Sequence, residues 1–161
     1  MKITLTLCCL WITKCCFAQM TVNSQFHKGF TSIKMPLIAG SNISESLTSA
    51  DDGYLISVNI LPNTVQNNIY NTWHIQVRRN DLSWHPNLNI HLQRTGEGDY
   101  YYANTLSGAS EYISISSINQ TFINGRGWID NIPFQLKITG ISATLPAKSY
   151  STEIVFTLID D

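Results

Sequence analysis

Cysteine is missing from the whole chain beyond residue 16. All four cysteines, Cys8, Cys9, Cys15 and Cys16, sit in the opening segment, so a domain starting after it has no disulfide, no Cys-zinc site and no thiol nucleophile. Charge is scarce too, at 13% of residues. No basic stripe is present of the kind that tracks nucleic acid or an acidic lipid surface. The one long apolar run, Ile3 to Ile12, is too short to span a bilayer, which takes about 20 residues. Long amphipathic helical periodicity is missing as well. Ser, Thr, Asn and Ile are abundant instead, a composition suited to extracellular β-structure and unlike that of a disordered chain.

The opening segment reads as a secretory leader. Met1-Lys2 supplies the positive end, Ile3 to Ile12 the apolar run, and Cys16-Phe17-Ala18 a small-x-small cleavage site. Cleavage is expected after Ala18, with Gln19 as the new N-terminus. Lys14, just before Cys15, stands where a lipidation signal needs a small residue. The expected product has 161 − 18 = 143 residues and a net charge of 8 − 11 = −3 once Lys2 and Lys14 are gone. That length allows one domain, residues 19–161, with a core large enough to need no disulfide. The protein is expected to be secreted, periplasmic or on the cell surface, with no membrane span.

Residues 19–35 carry apolar side chains at Val22, Phe26 and Phe30, a spacing of four that fits neither a regular strand nor a full helix. An irregular first strand or a flexible arm is expected there. Asn42-Ile43-Ser44-Glu45 matches a capping pattern and predicts a helical turn through Leu47 or a plain loop, before Asp51-Asp52-Gly53 turns the chain. Period-two alternation then marks strands. Tyr54, Ile56, Val58 and Ile60 define one, and Trp73, Ile75 and Val77 a second that Asn80-Asp81 should break. Leu88, Ile90 and Leu92 define a third, and Tyr112 to Ile118 a fourth. The closing part predicts a strand over Phe134, Leu136 and Ile138, a turn at Gly140, and a final strand over Ile154, Phe156 and Leu158. Short strands with turn signals between them predict an all-β fold, an immunoglobulin-like antiparallel β-sandwich with Greek-key connections and roughly seven to nine strands.

Chemistry is harder to find. His74, His85 and His91 are the candidate nitrogen ligands for a metal, but they lack the fixed spacing of a metal site. Alternation turns His74 and His91 outward, as candidate cross-strand neighbours. Ser107-Gly108-Ala109-Ser110 lacks the strand-to-helix elbow of a hydrolase serine. Glu97, Asp99 and Glu111 are turn acids of no fixed separation, and His85 beside Glu97 or Asp99 is the one acid–base pairing to inspect. No cofactor and no metal is expected. The aromatic side chains Trp84, Tyr100, Tyr101, Tyr102 and Trp128 are the candidate ligand-binding set, because exposed rings stack on sugars or dock a protein partner. The alternative for Trp84 is a plug at one end of the core. Trp73 belongs to the core.

The stretch from Ile138 through Pro146-Ala147-Lys148-Ser149-Tyr150 to Ile159 resembles the C-terminal hairpin of small secreted bacterial β-sandwiches, the spore-coat-U and pilin-like domains. Lys148 takes the glycine position of their turn. Phe17-Ala18-Gln19 is similar to the leader end of many exported Bacteroidetes proteins. The resemblance implies a non-enzymatic structural or adhesive surface subunit that self-assembles or meets another surface protein, with the segment from Gln19 to Ile33 as the candidate donated strand. Two departures stand against a true chaperone–usher pilin: the cysteine-free domain, and the ending Leu158-Ile159-Asp160-Asp161 in place of an aromatic residue. A carbohydrate-binding module using the exposed aromatics, with glycan as partner, is the alternative. A small secreted hydrolase is the third reading.

Overall fold

The computed structural model describes residues 3–9, 17–24, 31–32, 45–61, 71–100, 105–142 and 144–161. Among these the chain is a β-sandwich of two sheets built from thirteen strand segments. In chain order they are β1 (Ile3–Cys9), β2 (Phe17–Ser24), β3 (Thr31–Ser32), β4 (Glu45–Thr48), β5 (Tyr54–Leu61), β6 (Thr72–Ser83) and β7 (Asn89–Arg94). Then come β8 (Asp99–Tyr100), β9 (Leu106–Ser107), β10 (Ile113–Ile115), β11 (Gln120–Arg126), β12 (Ile129–Ile141) and β13 (Tyr150–Asp160).

The first sheet has the order β1-β13-β6-β11-β9. The second is organised on β12. One side of β12 pairs with β7 and then β8, the other with β4 and then β5. Phe134 faces Arg94 on one side and Tyr54 on the other. The segment count exceeds the expected seven to nine because two long strands are interrupted, β1 falls in the expected leader, and β3 and β9 have only 2 residues each. β4 and β5 run the same way along β12, separated by the turn at Asp51-Asp52-Gly53. β7 and β8 are split by Thr95 to Gly98, where Thr95 N–H donates to Pro133 O at 3.0 Å.

Alternation drives the packing as the sequence implies. On β6, Trp73, Ile75 and Val77 are buried while His74, Gln76 and Arg78 are half-buried. On β12, Phe134, Leu136 and Ile138 are fully buried between half-buried neighbours. The sheets meet through an aromatic cluster: Phe134 of the second sheet lies 6.0 Å from Phe122 and 5.6 Å from Phe156 of the first, ring centre to ring centre.

Several expectations are corrected. Asn80-Asp81 does not end β6, because Thr152 on β13 holds this part of the strand. Thr152 is fully buried, and its Oγ1 lies 3.0 Å from both Asn80 O and Asp81 Oδ1. The helical turn expected up to Leu47 is instead strand β4, since Leu47 takes a ladder position against Ile138; residues 42–44 lie outside the described residues. The strand expected over Tyr112 to Ile118 is only Ile113–Ile115. Ser116 leaves the second sheet, and its carbonyl accepts from Arg79 N–H on β6 at 2.7 Å. The strand expected over Phe134, Leu136 and Ile138 is longer than expected, running as β12 from Ile129 to Ile141.

The N-terminal part joins the sandwich. Gln19 to Ser24, within the expected arm, belong to β2 and pair antiparallel with β5, placing Met20 and Val22 against the core. Residues 25–30 and 33–35 lie outside the described residues. The expected leader also reaches the sheet: β1 pairs parallel with β13, from Ile3 beside Tyr150 to Cys9 beside Phe156.

Candidate functional site

The candidate site is the flank of β13 that β1 covers. β13 is an 11-residue strand introduced by the turn at Pro146, whose carbonyl accepts from the Tyr150 hydroxyl at 2.8 Å. That bond ties a fully buried ring to the start of the strand, and the His85 ring meets it edge-on at 6.0 Å. Tyr150, Thr152, Ile154 and Phe156 are all 0% exposed, with Leu158 packed against the core. Ser151, Glu153, Val155, Thr157 and Ile159 form the alternate set. One flank of β13 is fully paired with β6, from Ser151 opposite Ser83 to Asp160 opposite Trp73. Asn80 Nδ2 donates to Glu153 Oε2 at 2.9 Å across this pair, and Asp161 Oδ1 accepts from His74 Nδ1 at 2.9 Å just past the strand's end. The other flank meets β1. Ile3, Leu5 and Leu7 take the ladder positions beside Tyr150, Thr152 and Ile154.

The described edges include β1 with 7 residues, β2 with 8 and paired only with β5, β9 with 2 and β10 with 3. β13, with 11, lies between β1 and β6.

The aromatic candidates divide between the two ends of the sandwich. Trp84 follows β6 and is half-buried against the core. Its indole N–H donates to Leu88 O at 2.8 Å, and the Arg79 guanidinium stands 5.7 Å from its ring centre. Arg79 Nε is 2.7 Å from Asp81 Oδ1, an ion contact without an aligned hydrogen bond. Tyr100 is 40% exposed and lies opposite Ile129, while Asn89 lies opposite Thr139. Ten residues of β12 therefore separate the Trp84 end from the Tyr100 end, roughly 30 Å at about 3.3 Å per residue. Trp128, half-buried, adjoins the Tyr100 end. Tyr101 and Tyr102 lie outside the described residues. A single platform joining Trp84 to Tyr100 is not formed.

The polar candidates also part company. His74 is on β6 of the first sheet and His91 on β7 of the second, so they are not cross-strand neighbours. His91 shares a 2.9 Å hydrogen bond with Thr139 Oγ1, and burial followed by the nearby Lys137 charge lowers its pKa. Glu97 is taken up locally: Arg94 Nη1 donates to one oxygen at 2.6 Å and the Tyr100 hydroxyl to the other at 2.7 Å. Those two bonds, Arg94 first, hold the Glu97 carboxyl below its usual pKa. Burial and then the bond to Glu97 push Tyr100 up to about 12. Asp99 accepts from Asn131 Nδ2 at 2.7 Å. Among the described residues, no three His, Cys, Asp or Glu side chains converge as a metal site, and no helix is long and apolar enough to cross a membrane.

Sequence reasoning singled out β13 as the closing strand but not its second flank. The clue was the alternation Ile3, Leu5, Leu7 inside the apolar run, where a leader reading needs only hydrophobicity. No protein-family model and no curated protein matches the chain at a significant level.

Proposed function

We propose that this is an exported, non-enzymatic β-sandwich subunit of the cell surface, structural or adhesive, on an immunoglobulin-like plan related to spore-coat-U and pilin-like domains. The observation that supports this most is the occupancy of β13. Its outer flank is held by residues 3–9, which belong to the expected leader. Once residues 1–18 leave, an 11-residue strand backed by the core borders no other described strand on that side. Exposed long edges drive association with another chain, and proteins that stay alone blunt them. Such an edge suits a subunit. The closed Arg94–Glu97–Tyr100 cluster fits this reading, since both carboxylate oxygens already hold donors.

Export and surface association of the full-length chain in a bacterial host test the proposal. Intact mass should show loss of residues 1–18, and fractionation should place the processed chain with the envelope or the medium. Full-length chain retained in the cytoplasm would overturn it.

A further inference from the structure

The same flank of β13 has a shape that specifies its partner, and here we rest on the reading that residues 1–18 are removed. We infer that processed chains pair with a second copy of themselves, β13 against β13 in antiparallel fashion, about a two-fold axis at Val155.

The argument begins with β1. It shows that the outer flank of β13 takes a full ladder over the seven residues from Tyr150 to Phe156, so no fixed loop or bulge among the described residues blocks the approach of a strand. What replaces β1 must also present apolar residues at every second position, because Tyr150, Thr152, Ile154 and Phe156 border the core there. β13 itself carries this pattern. The 19–24 segment does not compete, because it already pairs with β5 in its own sheet.

Symmetry then selects the register. A two-fold contact joins the same surface of both copies. To keep core-facing residues opposite core-facing residues, the two strand positions must add to an even number. Centring on Val155 is the choice that pairs the strand over its whole length, Tyr150 to Asp160. It sets Ile154 opposite Phe156 and Thr152 opposite Leu158 on the core face. On the outer face it sets Glu153 opposite Thr157, Ser151 opposite Ile159, and Val155 opposite itself. The acids of this strand are kept apart. Centring on Glu153 would put that carboxylate opposite its own copy, and centring on Thr157 would put Glu153 opposite Asp161, both unfavourable like-charge pairs. With β1 gone the first sheet keeps β13, β6, β11 and β9, and the pairing joins two such sheets into one that runs through both copies. In the unprocessed chain β1 covers this edge, so pairing follows processing.

The absence of cysteine after residue 16 makes a clean test. Full-length genes carrying Val155→Cys, Glu153→Cys or Thr157→Cys are expressed for export, and the processed proteins are oxidised mildly. The proposal expects a disulfide-linked Val155→Cys dimer. It expects Glu153→Cys and Thr157→Cys each to stay uncrosslinked alone but to form a mixed dimer when combined. Sedimentation velocity of the unaltered processed chain should show a dimer at micromolar concentration. Self-crosslinking of all three variants would mean parallel pairing and would overturn the register. A monomer throughout, including one that binds an added peptide with the leader sequence, would overturn self-pairing. Neither result bears on export, which intact mass reads separately.

Discussion

The indole of Trp73 occupies the space a Cβ would need on Gly125, its direct partner across β6 and β11. Trp73 is 1% exposed, and its Nε1–H donates to Gly127 O at 2.7 Å. The ring is thus fixed by its cross-strand glycine and by a carbonyl two residues further on. The largest core side chain sits where the partner strand has none, so a glycine in a strand is here a packing requirement.

Gly125→Ala should therefore destabilise the fold. The new methyl meets the indole itself, and the bond from Trp73 Nε1–H to Gly127 O holds that ring in place. Overpacking of this kind costs about 1–3 kcal/mol. Urea unfolding followed by tryptophan fluorescence should show a lower midpoint with an unchanged slope. An unchanged midpoint would mean that Trp73 has room to move.

Ser49 joins β4 to β12 through both its backbone and its side chain. It is 5% exposed, its N–H donates to Leu136 O at 2.8 Å, and its Oγ accepts from Leu136 N–H at 2.9 Å. Ser49→Ala leaves that buried N–H without its acceptor and should cost about 1–3 kcal/mol. Hydrogen exchange should locate the loss: the Leu136 amide becomes the most accelerated on β12. Uniform acceleration along the strand would mean that the bond is not the cause.

These two residues illustrate what the sequence carries. Period-two patterns at Trp73, Ile75, Val77 and at Phe134, Leu136, Ile138 revealed the strands, because burial of one face is written residue by residue. The two-sheet architecture followed from their number and spacing. The turn at Asp51-Asp52-Gly53 was legible, but not that β4 and β5 on its two sides share one partner, β12. Thr95 to Gly98 and Ser49 to Gly53 split strands through bonds to residues far away in the chain, such as Thr95 N–H to Pro133 O. Asn80-Asp81 looked like a turn because local propensity favours it, and Thr152, more than 70 positions later, overrides that preference. The candidate site was half legible. β13 was readable as a closing strand, whereas the partner of its second flank depends on topology. Likewise Trp84 and Tyr100 both read as exposed candidate aromatics, and only the register along β12 sets them at opposite ends.

Tyr100 and Glu97 should contribute to the pH dependence of stability at opposite extremes. Folding raises Tyr100 from 10.0 to about 12. Between those values the unfolded chain releases a proton that the folded chain keeps, so stability is full below 10 and falls as pH rises toward 12. Glu97 has the opposite sign. Its folded pKa is below the ordinary 4.5, so its contribution is present above that value and is lost as pH falls further. Tyr100→Phe should reduce the alkaline loss, leaving the part due to Tyr54 and Tyr112, whose pKa values burial also raises, and reduce the acidic one, because Arg94 still holds Glu97. Thermal midpoints of the two proteins across the pH range check this. Parallel curves above pH 10 would show that Tyr100 does not contribute.

Trp84 and Tyr100 should behave as independent residues. Trp84→Phe keeps most of the ring but loses the bond from the indole N–H to Leu88 O, at a cost of about 1 kcal/mol. Trp84→Ala also removes packing from a half-buried site and strips the Arg79 guanidinium of its ring. It should cost about 2–3 kcal/mol, below the range for a fully buried tryptophan. Tyr100→Ala frees one Glu97 oxygen at a 40% exposed position and should cost under about 1 kcal/mol. With roughly 30 Å of β12 between them, the double variant should equal the sum of the singles to within about 0.5 kcal/mol. Coupling of more than about 1 kcal/mol in that cycle would place the two rings together and revive the joint aromatic platform. Additive losses, dominated by Trp84, would mark the tryptophan as a plug for one end of the core.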